Sequence, residues 1–142
     1  MPSIACALVA SALLCVLSAG SVIIAEDASP TGERCFEMRT YTAAPGKLEA
    51  LHARFRDHTN VLFVKHGMTL VGYWTPTDGD AAKDTLVYIL AYPSRTARET
   101  AWADFQKDPD WQKAKADSEV NGPLVTKVVS VFLKPTDYSP IK

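Results

Sequence analysis

The chain predicts an α+β domain, four antiparallel strands and two helices in the order β-α-β-β-α-β. Two periodicities and a set of breakers carry that prediction. Short segments alternate apolar and polar residues, or run β-branched, as strands do; longer ones repeat apolar residues three, four and seven apart, as helices do. Proline or glycine falls at most of the junctions between them. The composition is that of an ordinary globular domain, 142 residues at 47% hydrophobic and 22% charged.

The first 25 residues stand apart because they hold no charged side chain. The apolar run from Ile4 to Ala25 is long enough to cross a bilayer and is compatible with a secretory signal. Residues 1–25 therefore read as a signal peptide, cut after Gly20 or Ala25, or as an uncut N-terminal anchor. The expected location is periplasmic or extracellular, with membrane contact only through an uncut leader. Cys6 and Cys15 lie in this leader, so a processed chain keeps Cys35 alone. One thiol forms no intramolecular disulfide, and no CxxC or Cys/His spacing for zinc is present. Cys35 reads as a packed or strand-edge thiol.

Residues 26–33 form a polar linker broken by Pro30 and Gly32, and the folded domain spans 34–136. Residues 35–42 alternate Phe36, Met38 and Thr40 against Glu37, Arg39 and Tyr41, which gives a strand with one apolar and one polar face. Ala44-Pro45-Gly46 opens a helix over 46–66. Its stripe is Leu48, Leu51, Phe55 and Leu62, with Arg54, Arg56 and Asp57 turned outward. His66-Gly67 stops it, Gly67 being suited to a left-handed cap.

A second strand follows over 68–75, with Tyr73 sharing its face with Val71. After a polar loop comes an apolar strand over 85–92, expected to be central. Ser94 is placed to cap a second helix, which runs through 95–107, breaks at Asp108-Pro109-Asp110 and resumes over 111–119. Asn121-Gly122-Pro123 ends it. The last strand, 124–135, is β-branched, and the tail, 137–142, is expected to be loosely ordered.

This order is the split βαβ, or ferredoxin-like, arrangement, with both helices on one face of the sheet. Val71, Tyr73, Tyr88, Val129 and Val131 are more apolar surface than two helices on one side absorb. Exposed apolar surface of that extent marks an interface. The expected solution is a homodimer packed sheet on sheet around a small barrel, with a ligand in the space between the sheets.

Three segments are similar to a known family. FEMRTYTAAPGKLEALHARF, HGMTLVGYW and SRTARETAWADFQKDPDW, in that order, resemble the NIPSNAP family, whose marks are a "YELRTYT..PGK" first strand, an "HG…VGYW" second strand and an "R…W..F..DP.W" helix. The resemblance covers about residues 35–135, with Cys-Phe-Glu-Met replacing the more usual start. It implies a dimeric α/β barrel. It implies no reaction and no cofactor.

Near-balanced charge, 15 Lys+Arg against 16 Asp+Glu, argues against nucleic acid as a partner. Glu37, Arg39 and Tyr41 share one strand face. They read either as a polar floor of the barrel interior, Arg39 binding an anion and Tyr41 orienting it, or as an internal Glu37–Arg39 ion pair. Tyr73 and Tyr88 are pocket candidates because a phenol offers an apolar wall and a hydrogen-bond handle. His66 reads as a ligand contact or as a cation capping the helix end. Trp102 and Phe105 read as helix–sheet packing. No HxxxH, HExxH, GxSxG or glycine-rich phosphate loop occurs, so no metal and no cofactor is expected. The first functional reading is an exported homodimer that binds a small, mostly apolar or aromatic ligand or serves as an interaction scaffold. The alternative is a small cofactor-independent or haem-dependent monooxygenase-like enzyme.

Overall fold

The computed structural model describes residues 33–142; the leader, with its expected cleavage and export, lies outside the described residues. The elements are β1 (Cys35–Ala43), α1 (Leu48–Arg54), a π-helical turn (Phe55–Thr59), α2 (Asn60–Lys65), β2 (Thr69–Trp74), a 3-10 turn (Asp80–Lys83), β3 (Thr85–Tyr92), α3 (Arg95–Lys107), α4 (Pro109–Ser118) and β4 (Val125–Leu133). The strands form one antiparallel sheet in the order β2-β3-β1-β4. This is the ferredoxin-like architecture the sequence predicts, with β1 and β3 central. Among the described residues no helix is long and apolar enough to cross a membrane.

Local chemistry sets the boundaries. Ser94 accepts a hydrogen bond from the Ala97 N–H at 3.0 Å and caps α3. Asp108 is extended, which ends α3, and its carboxylate accepts from the Asp110 N–H at 2.8 Å, which starts α4 with Pro109 in its first turn. Gly67, at φ 75°, closes α2 in the left-handed region, as expected.

The core lies between the helices and one face of the sheet. Leu51, Phe55 and Phe63 from the first helical run meet Tyr88, Leu90 and Tyr92 from β3, and Trp102 and Phe105 from α3 close the other side. Phe63 touches Trp102 and Phe105 with ring centroids 5.4 and 4.8 Å apart.

Four expectations change. Arg54 does not turn outward; it is 5% exposed, beneath α4. It stands three residues after the buried Leu51, on the side that α4 covers, and pairs with Glu119; a π turn follows it, where the Asn60 N–H bonds to the Phe55 carbonyl five residues back. That one-residue excess re-phases the helix, and the Thr59 hydroxyl donates to the Arg54 carbonyl at 3.1 Å. Secondly, Tyr73 does not share a face with Val71. The register slips between Leu70 and Gly72, so Leu70 pairs with Leu90, Gly72 with Ile89 and Tyr73 with Tyr88. This bulge turns Tyr73 toward the helices with Leu70.

Thirdly, the polar face of β1 is the one the helices cover. Glu37, Arg39 and Tyr41 stand opposite Leu90, Tyr88 and Leu86, all three buried in the core. Tyr88 and Tyr73 therefore do not belong to the open face, which carries Phe36, Val71, Ile89, Val129, Val131 and Leu133 instead. Parity groups side chains by face; it cannot say which face the helices choose. Fourthly, the tail turns back. Arg34 donates to the Lys142 carbonyl, the Ser139 N–H bonds to the Thr136 carbonyl, and Pro135, Thr136 and Ile141 rim an open-face hollow with Phe36, Val71 and Ile89.

Candidate functional site

On β1, alternate residues point under the helices, and three of them in a row are polar: Glu37, Arg39 and Tyr41. Glu37 is fully buried, which ordinarily disfavours a carboxylate unless donors surround it. They do. Arg98 of α3 grips it with two bonds, Nε to Oε2 at 2.9 Å and Nη2 to Oε1 at 2.7 Å. Arg39 Nη1 donates to Oε1 at 2.7 Å, Tyr92 OH to Oε2 at 3.1 Å, and the Ser130 hydroxyl of β4 to Oε1. Trp102 Nε1 donates in turn to the Tyr92 oxygen at 2.7 Å. Burial pushes the Glu37 carboxyl up, but the Arg98 and Ser130 hydrogen bonds and the Arg39 charge outweigh it and bring it down to about 2.

Charge in this cluster does not balance. Arg98 is also 3.3 Å from Glu99, which Arg95 holds at 2.9 Å, so three guanidiniums share two carboxylates. The least-paired is Arg39. One Nη holds Glu37, the other reaches the Tyr41 oxygen only at 3.4 Å, and Nε is buried with no partner. Its guanidinium lies 4.2 Å from the centroid of the Trp102 ring. An unmet buried donor costs roughly 1–3 kcal/mol.

Arg39 sits in the floor of a cleft between the sheet and the α3–α4 pair. One hollow of about 470 Å³ is lined by Arg39, Tyr41, Trp102, Phe105, Trp111 and Lys115. A second, of about 300 Å³, shares five of those side chains and extends toward Arg54, Phe55 and Val128. Arg54 braces that end, with Nη1 on Glu119 Oε1 at 2.8 Å and the guanidinium 5.3 Å from the Trp111 ring. The cleft offers aromatic walls and two guanidiniums with a buried, unpaired Nε, Arg39 in its floor and Arg54 at one end.

The residues singled out from sequence divide three ways. Glu37, Arg39 and Tyr41 come together, and the expected Glu37–Arg39 ion pair forms at 2.7 Å. Tyr88 joins them, paired across the sheet with Arg39 and 5.2 Å from the Tyr41 ring. Its hydroxyl has no partner, and burial holds its phenol well above the ordinary value. Tyr73 stacks on Tyr88 at 5.5 Å but lines a different hollow, beyond Phe55.

His66 stands elsewhere. Its Nε2 is 2.7 Å from Asp108 Oδ2, the carboxylate that Lys65 Nζ meets at 2.8 Å, so it ties the end of α2 to the cap of α4. The Lys65 and His66 hydrogen bonds hold the Asp108 carboxyl well below its usual range. His52 lines the hollow beyond Phe55, and His58 is exposed. Cys35 is half-buried, its thiol pushed up by burial. Among the described residues no three His, Cys, Asp or Glu side chains gather as a metal site.

Reading the sequence missed Arg98, Tyr92 and Ser130. Arg98 was open to discovery, since it stands one helical turn before Trp102 in the "R…W" motif. Ser130 was not, because β4 pairs with β1 across most of the chain.

The sequence and the fold both resemble those of known proteins. The sequence profile of the NIPSNAP family matches residues 36–140. The fold matches the crystal structure of a NIPSNAP family protein of unknown function from Agrobacterium tumefaciens, at 24% identity over 79% of this chain and 96% of that one, with a TM-score of 0.67. It also matches an uncharacterised NIPSNAP domain protein from Burkholderia xenovorans, at 26% identity over 75% and 98%, with a TM-score of 0.63. SnoaB, a cofactor-independent oxygenase from Streptomyces nogalater, aligns over 77% of this chain and 99% of its own at 16% identity and a TM-score of 0.48. No curated protein sequence matches the chain.

Proposed function

The chain belongs to the NIPSNAP family, and from that premise we propose that it is an exported homodimer holding a small aromatic ligand with one anionic oxygen in the cleft over Arg39. Arg39 carries this reading: a largely buried cation in a cluster of three guanidiniums and two carboxylates, against the rings of Tyr41 and Trp102 in a hollow that Trp111 also lines. A carboxylate, enolate or phenolate meets that surplus, and the rings take a flat apolar body.

Binding suits the site better than acid–base chemistry. Glu37 is saturated with donors and held ionised. Burial holds the phenols of Tyr88 and Tyr92 protonated. Neither kind of group is poised to take and return a proton near neutral pH.

Pairing is supported by the open face, where Val129, Val131 and Leu133 remain 42, 41 and 38% exposed. Export is supported by the uncharged apolar run before residue 26.

Native mass spectrometry of the protein purified gently from its host tests all three parts. The expected species is a dimer of chains lacking the leader, each carrying a discrete extra mass that Arg39→Met removes. Arg98 still neutralises Glu37 in that variant, so the fold is kept. A clean dimer with no added mass would replace the ligand by a scaffold role, and a monomer would overturn the pairing.

A further inference from the structure

The cleft over Arg39 has one wall built differently from the rest. Arg39 and Tyr41 belong to the sheet, while Trp102 and Phe105 belong to α3, which buries them together with Ala101. The remaining wall is α4, which supplies Trp111 and Lys115 and buries only Ala114. Pro109 and the extended Asp108 separate it from α3, so it is not a continuation of that helix. An element with so little buried apolar surface opens at a lower free energy than the core it lies on.

The two ends of α4 are held unequally. At its start the buried Asp108 carboxylate caps the helix and receives Lys65 Nζ at 2.8 Å and His66 Nε2 at 2.7 Å. Trp111 lies one turn further on, with its ring 4.5 Å from that of Phe105. At the other end one guanidinium makes the polar hold: Arg54 Nη1 donates to Glu119 Oε1 at 2.8 Å and to the Ser118 hydroxyl at 3.3 Å. The chain then turns through Asn121-Gly122-Pro123, with Gly122 at φ 96°, where glycine moves most freely. The first end is a pivot and the second a latch. From Asp108 to Glu119 the lever is about 16 Å long, so a tilt of about 15° lifts its far end by roughly 4 Å.

We propose that α4 is a lid over the Arg39 cleft, pivoting at Asp108 and latched by Arg54 on Glu119. Opening widens the end of the cleft lined by Lys115, Glu119 and Val128, and bares Arg39, which is 12% exposed with the lid shut. The lid's role in ligand entry rests on the Arg39 cleft being a site; the motion itself does not.

Phenylglyoxal labelling of the purified protein, followed arginine by arginine in peptide mass maps, tests the motion with no ligand added. Glu119→Gln keeps the shape of the latch and removes its charge. It is expected to speed the labelling of Arg39 about tenfold, as the exchange of a charge-assisted for a neutral hydrogen bond implies. Arg98 grips the same Glu37 from α3 at a similar exposure, 16%, and is the internal reference, with its rate unchanged. Hydrogen exchange supplies a second reading: Glu119→Gln accelerates the amides of α4 and leaves those of α3 as they were. Equal acceleration of Arg39 and Arg98 overturns the lid, because the whole fold has then loosened. An Arg39 rate indifferent to Glu119→Gln overturns it as well. Faster labelling of Arg39 in a protein that carries no added mass from its host supports the lid and removes the ligand.

Discussion

Replacing Glu37 by glutamine removes the one carboxylate that Arg39 and Arg98 share, and leaves two half-buried guanidiniums without their common counter-charge. Breaking a buried pair from one side typically costs roughly 3–5 kcal/mol, and Glu37→Gln is expected to lose that much in chemical denaturation. The same carboxyl fixes an acid limb of stability. Its folded value of about 2 lies below the 4.5 of an ordinary glutamate. Its contribution is therefore complete above about 4.5 and fades as the pH falls from there through 2. Urea midpoints of the native chain should decline across that window, and Glu37→Gln should show a shallower decline. Asp108, also held below its usual range, first by Lys65 and then by His66, supplies part of the remaining slope. The sequence exposed the Glu37–Arg39 spacing. It did not expose Arg98 or Ser130, which reach the same oxygens from 61 and 93 residues away.

Among the elements, the π turn at Phe55–Thr59 matters most, because it re-phases every residue of the helix beyond it, Leu62 and Phe63 included. Apolar spacing identified the helix and most of its buried stripe; Leu51, Phe55 and Leu62 are buried as expected. It missed the turn because a single inserted residue leaves the average spacing almost unchanged. Deleting Asp57, exposed within the turn, should convert 48–65 into an ordinary α-helix and keep Leu51 in phase with Phe63. Thermal unfolding should then change by less than about 1 kcal/mol, because the buried stripe is kept. Deleting a residue from a regular helix instead rotates everything beyond it by about 100° and ruins the core. A collapse in stability would therefore show that the turn is not an insertion. The bulge in β2 is the strand counterpart, one extra residue that moves Tyr73 to the helix side.

For the whole molecule the question is which face of the sheet stays open. The described chain leaves Val129 and Val131 on that face, flanked by the returning tail. If two copies pack through it, Val131→Glu places two charges in the interface and should convert a dimer to a monomer in light scattering, with the circular dichroism spectrum unchanged. A native chain that is already monomeric, or a dimer indifferent to Val131→Glu, would place the contact elsewhere.

The sequence by itself determined the element order, the fold class, the caps at Ser94 and Gly67 and the grouping of Glu37, Arg39 and Tyr41, because each is written in local spacing. The three segments that resemble NIPSNAP gave the family, which the profile match over residues 36–140 bears out. Tertiary structure alone decided that the polar face of β1 lies under the helices, that Arg98 and Ser130 complete the shell around Glu37, and that Tyr73 and His66 belong to other places than Arg39. Those outcomes depend on long-range pairing and on two one-residue irregularities, a π turn and a bulge. A bulge reverses the side chains beyond it and a π turn rotates them, while the period of the sequence stays almost intact.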